Sequence, residues 1–180
     1  MLNFARLTIL SAAMLVPPLC VAEFANAAAA ELTARDVTVL LHKSDAGVRV
    51  DLAGKTLANL DLAGLDFKAA NLSKANLYGA DLSSASLKGA DLSGAKLDRA
   101  ILHKADFSGA NLQGASVLAP SVFLSTSFDY ADAPKFAGAN MRGARIAARL
   151  DGADFRGADL SNARIGPNER SSEAGMAPAS

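Results

Sequence analysis

The sequence has little of what metal centres and many catalytic sites are built from. It contains one cysteine, two histidines and no tryptophan among its 180 residues. One cysteine excludes a disulfide framework within the chain and any site with several thiolate ligands, and two histidines exclude a histidine-rich metal cluster. We therefore expect no metal and no cofactor. Lysine plus arginine and aspartate plus glutamate both number 18, so the formal net charge is zero, which argues against nucleic-acid binding.

No arrangement of residues in the sequence is typical of a catalytic site. Serines are plentiful but fall in repeated positions, and there is no phosphate-binding loop, dinucleotide fingerprint or zinc-ligand spacing. His103 directly follows an apolar position of the repeat described below, and it is predicted to point outward. We therefore expect no catalytic residues, and we predict that the protein is not an enzyme.

Residues 1–27 have the pattern of a secretory signal peptide. A positive charge precedes an apolar run over residues 7–16, and a small-x-small motif ends at Ala27. The run is shorter than the roughly 20 apolar residues of a membrane span, so we expect no stable span after signal removal. Cleavage is expected after Ala27, with Ala22 as a second possibility and lipidation of Cys20 as a weaker one. The protein is therefore predicted to be exported, either periplasmic or secreted.

From about residue 50 onward the sequence repeats every five residues. Each unit has an apolar residue, here called its centre, and ten consecutive units have alanine two residues before the centre. The position before the centre is mostly Asp or Asn, and glycine is common at the second position after it. A period of five matches neither an α-helix nor an alternating strand. The first fourteen centres are Leu52, Leu57, Leu62, Phe67, Leu72, Leu77, Leu82, Leu87, Leu92, Leu97, Leu102, Phe107, Leu112 and Val117.

This pattern, A-(D/N)-L-x-x, resembles that of the pentapeptide-repeat family over roughly residues 50–165. The resemblance implies an all-β solenoid, a right-handed quadrilateral β-helix with four pentapeptides in each coil. Fourteen centres to Val117, one at Val122 and seven more over residues 136–165 predict 22 units, or about five and a half coils. Residues 123–134 lack the period and are predicted to be an irregular insertion at one corner.

Four pentapeptides in each coil predict which side chains stack on one another. In a column that alternates Asp and Asn, the Asn amides can donate to the carboxylates of neighbouring coils. An alternative is a file of oxygens that binds cations, although calcium requires several converging carboxylates. The predicted columns are Asp51, Asn71, Asp91 and Asn111 on one face, and Phe67, Leu87, Phe107, Phe136 and Phe155 on another.

The segments on either side of the repeat are expected to differ from it. Residues 28–49 are predicted to form an N-terminal capping segment, with a helix over about 34–42 that begins at a Thr33 capping box and lies over the first coil. Residues 166–180 are small, polar and proline-bearing, a composition typical of a disordered tail.

The candidate contact residues lie in the insertion and in the C-terminal coils. Phe123, Phe128 and Tyr130 are aromatic side chains of an irregular loop, and they either pack back onto the coils or contact a partner. Arg145 and Arg164 are predicted to stack one coil apart, either paired with nearby aspartates or free for a carboxylate or phosphate. We expect the partner to be a protein or an envelope component.

Two classes of function fit these features. The first is an exported structural or protein-interaction module without enzymatic activity. The second comes from the family resemblance, because some pentapeptide-repeat proteins mimic DNA and bind or protect DNA gyrase. The export pattern and the balance of seven acidic with seven basic residues over 51–117 favour the first class.

Overall fold

A computed structural model describes residues 32–44, 48–121, 130–147, 150 and 152–166. The chain divides into two units, residues 1–30 and 31–180, and every described residue belongs to the second. The predicted signal peptide, the tail beyond Gly166, Val122, Phe123 and Phe128 lie outside the described residues. Within the described residues, no helix is long and apolar enough to cross a membrane.

The repeat folds into a solenoid whose coils are joined by parallel bridges. The residue before each centre pairs with its counterpart four units later, as Asn71 does with Asp91. Four columns of such pairs recur, one for each pentapeptide of a coil, so each coil has four faces. We number the faces 1 to 4 by their first pairs, which are Asp51↔Asn71, Thr56↔Asn76, Asp61↔Asp81 and Asp66↔Ser86.

Three short strands extend this pairing on face 2. Strand β1 covers Ser116–Leu118, β2 covers Arg145–Ala147 and β3 covers Arg164–Ile165, and they form one parallel sheet in the order β1-β2-β3. Arg145 pairs with Ser116 on one side and with Arg164 on the other. In β1 and β2 the residue after the centre is also paired, whereas in the units where a turn follows the centre the pairing is limited to single bridges.

The insertion leaves the faces in register. Asp106 pairs with Lys135 on the far side of the insertion, and Lys135 in turn pairs with Asp154, although the repeat between these two is one residue shorter than a regular coil. The predicted aromatic column on face 4 is confirmed, because the Phe136 ring stacks on those of Phe107 and Phe155. Both ring pairs have centroids 5.1 Å apart and planes at 9°.

The centres and the alanines before them fill the interior. Every described centre from Leu52 to Ile146 is at most 2% exposed, and the alanines from Ala70 to Ala115 are at most 1% exposed. Among the described residues, no polar or charged residue is buried as a whole. The narrow coil requires one large and one small apolar side chain in each unit, and this requirement explains two of the five repeat positions. In the last coil, Ile165 is 66% exposed.

Most of the described centres are followed by a tight turn that forms a corner of the coil. The amide of the third residue after the centre donates to the carbonyl of the centre, as from Ala75 to Leu72 at 3.0 Å. The second residue after the centre has a positive φ, as in a type II turn. Glycine adopts this conformation without strain, but Ser84 (φ 56°) and Arg99 (φ 59°) adopt it as well.

Among the described residues, one α-helix precedes the coils, and we call it α1 (Ala34–Lys43). Thr33 forms the capping box, with the Asp36 amide donating to Thr33 Oγ1 at 3.2 Å and the Thr33 amide donating to Asp36 Oδ2 at 3.0 Å. The hydrogen bonds from the Thr33 side chain and backbone lower the pKa of Asp36. These bonds satisfy two of the amides that a helix start leaves without an intrahelical partner.

The apolar side of α1 joins the core of the first coil. Val37 and Leu41 are 0% and 4% exposed and belong to the same cluster as Val50 and the first centres. At the C-terminal end of α1, Lys68 Nζ donates to the Leu41 carbonyl oxygen at 2.9 Å. A cation is favourable at this end because the last carbonyls of a helix carry partial negative charge.

Candidate interaction surface

The Asp and Asn residues before the centres bond to their own backbone. In twelve of the described units, Oδ1 of this residue accepts a hydrogen bond from the amide two residues later. The bond from the Ser83 amide to Asp81 Oδ1, for example, is 2.8 Å long. A short side chain with an acceptor oxygen is needed for such a turn, which explains the Asp or Asn of the repeat.

On face 1, these residues are also linked from coil to coil. Asn71 Nδ2 donates to Asp51 Oδ1, and Asn111 Nδ2 donates to Asp91 Oδ1, both at 3.0 Å. The predicted Asp and Asn column is therefore confirmed, and it continues to Asn140, which donates to Asn111 Oδ1 at 3.0 Å. Across the described ranges, no group of three or more His, Cys, Asp or Glu residues is placed to hold a metal ion.

His103, which the sequence predicts to point outward, is half-buried rather than freely exposed to solvent. It follows its centre on face 3, as Ser83 does one coil earlier, and both side chains are half-buried. Ser83 Oγ and His103 Nδ1 are buried and have no hydrogen-bond partner among the described residues. Because the coils pair about 4.8 Å apart, outward side chains of neighbouring coils bury part of each other's surface. A prediction made from one coil alone does not include this burial.

Two arginines of the C-terminal coils have acidic partners. Arg156 binds Asp154 with two bonds, from Nε to Oδ1 at 2.9 Å and from Nη2 to Oδ2 at 2.7 Å. The hydrogen bonds from Arg156 lower the pKa of Asp154 from 3.8 to about 2. Arg142 Nε lies 3.9 Å from Asp159 Oδ2. The Ser161 side chain, whose hydroxyl donates to Asp159 at 2.6 Å, lowers the pKa of that carboxyl.

Face 2 carries cations that lack such partners. Its bridge column runs from Lys96 through Ser116 to Arg145 and Arg164. Lys96, Arg145 and Arg164 are exposed, and none forms an ion pair within the described part of the chain. The prediction that Arg145 and Arg164 stack one coil apart is confirmed.

The alternative, in which nearby aspartates neutralise Arg145 and Arg164, is wrong for the described carboxylates. Asp154 binds Arg156 and Asp159 lies near Arg142 instead. The pairing is local for Asp154, because Arg156 follows it by two residues in the same unit and can form both bonds. Asp151, another aspartate near Arg145 in the sequence, lies outside the described residues.

One carboxylate, Asp98, lies among these cations, and it binds neutral groups. Its Oδ1 accepts from Ser116 Oγ at 2.6 Å and from the Leu118 amide at 3.0 Å. Arg99 at the adjoining corner is exposed and also lacks an ion pair within the described ranges. The cations Lys96, Arg99, Arg145 and Arg164 form what we call the basic strip; four positive charges against one negative charge give a formal +3.

An aromatic and an apolar side chain lie beside the basic strip. Tyr78 and Leu118 follow their centres on face 2, in the column that also contains Asp98. Tyr78 is 41% exposed, and Leu118 is half-buried. Lys96, Arg99 and Tyr78 are not among the contact residues that the sequence singles out. The fixed length of a coil already places Lys96 two coils before Arg145, once the insertion is counted, so sorting the charges by face would have found the strip.

The described part of the insertion returns to the coils. Tyr130–Asp132 is a 3-10 helix. Of Tyr130 the structure describes the backbone and not the side chain. Ala133 is 4% exposed. Lys104 Nζ lies 2.9 Å from Asp132 Oδ1, so this end of the insertion is held against face 3. A partner contact through Phe123, Phe128 and Tyr130 remains a prediction.

Comparison with known proteins finds the same repeat. A family model for pentapeptide repeats matches residues 51–89, 75–114 and 132–165, in 8 copies. A pentapeptide repeat protein from the Arabidopsis thaliana thylakoid lumen is 33% identical over 63% of each chain, with a TM-score of 0.37. Rfr23 of the cyanobacterium Cyanothece 51142 is 34% identical over 56% of this chain and 59% of its own, with a TM-score of 0.30. QnrB1, a plasmid-mediated fluoroquinolone resistance protein, is 19% identical over 68% of this chain and 62% of its own, with a TM-score of 0.29.

The matches thus span less than two thirds of the length of each of these three proteins. No curated protein matches the chain. Pentapeptide repeat proteins adopt a right-handed quadrilateral β-helix, and they are generally structural or interaction proteins rather than enzymes. The family model covers more than half of the chain, and the described coils have four faces built from five-residue units. The chain therefore belongs to the pentapeptide-repeat family.

Proposed function

We propose that this chain is an exported, non-enzymatic protein-interaction module that presents side chains on the faces of its β-helix. The observation that carries the proposal is the basic strip, whose exposed cations lie on three of four successive coils and form no ion pair within the described residues. Like charges on paired strands are destabilising, so stability of the fold does not account for the adjacent Arg145 and Arg164. Contact with a macromolecule that supplies negative charge does account for them.

The absence of enzymatic activity is proposed from the way the repeat uses its polar residues. The acceptor oxygens before the centres bind backbone amides of their own units, and on face 1 they also bind neighbouring amide groups. Carboxylates held in this way are occupied in maintaining the turns. This use agrees with the general role of pentapeptide repeat proteins as structural or interaction proteins.

We propose further that the repeat makes about five and a half coils and that α1 caps their N-terminal end. An open solenoid end exposes unpaired strand edges and core residues, so it needs a cover. Support comes from Val37 and Leu41, which are buried with the first centres, and from the bond between Lys68 Nζ and the Leu41 carbonyl oxygen.

Export is proposed from the sequence of residues 1–27, which has the order of charge, apolar run and small-residue motif of a signal peptide. The proposed partner is accordingly a protein or another component of the cell envelope. A DNA mimic that binds DNA gyrase is the alternative. It has less support, because a mimic of DNA needs strongly acidic faces, whereas face 2 has a formal charge of +3 from Lys96 onward.

Cell fractionation of the full-length protein with a C-terminal tag tests the proposal. We expect the tagged protein in the periplasmic or secreted fraction, with N-terminal sequencing of the mature form beginning after Ala27. A matched variant, Ala25→Arg, disrupts the small-x-small motif and should stay at full length. Uncleaved wild-type protein in the cytoplasm would contradict the proposal and favour the gyrase alternative.

A further inference from the structure

We infer that the basic strip binds an extended acidic segment of a partner protein. The carboxylates of this segment would form ion pairs with Lys96, Arg145 and Arg164. The inference rests on the proposed function and names the chemistry of the partner. It starts from the uneven charge distribution of a chain whose formal net charge is zero. On face 4, cations have acidic neighbours, as Lys88 Nζ does at 3.2 Å from Asp106 Oδ2. On face 2, by contrast, the four cations of the basic strip lie near one carboxylate, so their positive charge is not offset locally.

The spacing of the cations fits an extended peptide that runs across the coils. Arg145 and Arg164 lie on paired strands, whose backbones are about 4.8 Å apart, and Lys96 lies three coils from Arg164, or about 14 Å. Alternate side chains of an extended segment are about 6.6 Å apart, and side chains four residues apart are separated by about 13 Å. Acidic residues at positions i, i+2 and i+4 can therefore reach Arg164, Arg145 and Lys96 in order.

The chemistry of the strip favours a protein over a lipid surface. An arginine guanidinium can bind one carboxylate with two parallel bonds, as Arg156 does with Asp154 in this chain. Tyr78 and Leu118 add aromatic and apolar contact beside the cations. Tyrosine and arginine are enriched at protein interfaces, whereas attraction to an anionic membrane requires only positive charge.

Fluorescence polarisation with a labelled decapeptide of alternating glutamate and serine tests the inference on the purified full chain. We expect saturable binding that weakens as salt rises from about 0.05 to about 0.15 M. The double variant R145Q/R164Q should weaken binding about tenfold or more. The matched control R142Q/R156Q removes the same charge from arginines that already have acidic partners, and it should change binding less than about twofold. The variant R145K/R164K keeps the positive charge but removes the planar guanidinium groups that can bind a carboxylate with two bonds. It should therefore lose part of the affinity for the peptide.

Several results would overturn the inference. These are absence of peptide binding to the wild-type chain, equal loss of binding in the two glutamine variants, and unchanged binding in R145Q/R164Q. Binding to phosphatidylserine vesicles that depends on Arg145 and Arg164, without peptide binding, would also overturn it and assign the strip to a membrane surface. The melting temperature of R145Q/R164Q should equal or exceed that of the wild type, because a repulsive pair is removed. A clear decrease would show that the arginines stabilise the fold instead.

The proposal of export and the inference of an acidic partner can be refuted independently of each other. Loss of peptide binding would remove the partner chemistry and leave the cell fractionation result unchanged. Cytoplasmic, uncleaved protein would contradict export and leave the affinity for the peptide unchanged.

Discussion

Replacement of Phe136 with leucine should destabilise the β-helix more than the same replacement at Phe67. Both rings are buried, at 1% and 0% exposed, so both substitutions remove the same volume from the core. Phe136 lies between the rings of Phe107 and Phe155, at 5.1 Å from each. Phe67 has no ring contact within the described residues, so it is a matched control for the loss of volume.

The expected difference follows from the number of ring pairs that each substitution removes. An aromatic pair contributes about 0.5–1.5 kcal/mol beyond its buried area, so two pairs contribute about 1–3 kcal/mol. We expect the free energy of unfolding of Phe136→Leu to be lower than that of Phe67→Leu by this amount. Urea denaturation followed by circular dichroism measures it, provided that the two variants have the same m value.

A difference below about 0.5 kcal/mol would refute the reasoning. The rings would then not stack across the insertion, and the pairing of Lys135 with Asp106 that places them one above the other would be in doubt. A larger loss at Phe67 would have the same meaning.

Three further predictions concern the corners, the helix and the carboxylates. Gly109→Ala should lower the free energy of unfolding by about 1 kcal/mol in a thermal melt, because alanine is strained at the φ of 66° that this corner requires. The new Cβ would meet no atom within 4 Å, so the loss would come from the backbone alone. An unchanged melt would show that the corner carries no backbone strain. Lys68→Met removes the bond to the Leu41 carbonyl oxygen, so amide hydrogen exchange in α1 should become about fivefold faster, and equal rates would show that the bond does not hold the helix. The pKa of Asp154 is about 2 in the folded chain against an ordinary 3.8, so its contribution to stability is present above about pH 4 and is lost as pH falls towards 2. Asp154→Asn should make the melting temperature fall less steeply over this range, and an unchanged slope would contradict that assignment.

Much of the architecture could be predicted because the coil converts sequence position into spatial position at a fixed ratio. Four pentapeptides make one coil, so the contact of Asn71 with Asp51 follows from counting. The stack of Phe107 and Phe136 follows as well, once residues 123–134 are treated as an insertion that leaves the face number unchanged.

The remaining features depend on side-chain geometry that counting does not include. The role of Asp81 and its equivalents in holding the amide two residues later depends on the turn conformation. The burial of His103 Nδ1 depends on shelter from neighbouring coils. The choice of Arg156 over Arg164 as the partner of Asp154 depends on which guanidinium can form two bonds at once.

Nuclear magnetic resonance of the isotope-labelled full chain, titrated with the alternating glutamate peptide, tests directly whether recognition lies on face 2. We expect the largest chemical-shift changes at the backbone amides of Lys96, Arg99, Arg145 and Arg164 and at the arginine Nε–H groups. Amides of faces 1 and 4 should shift little. Changes centred on residues 123–134, or spread evenly over the faces, would contradict the assignment of the basic strip as the contact surface.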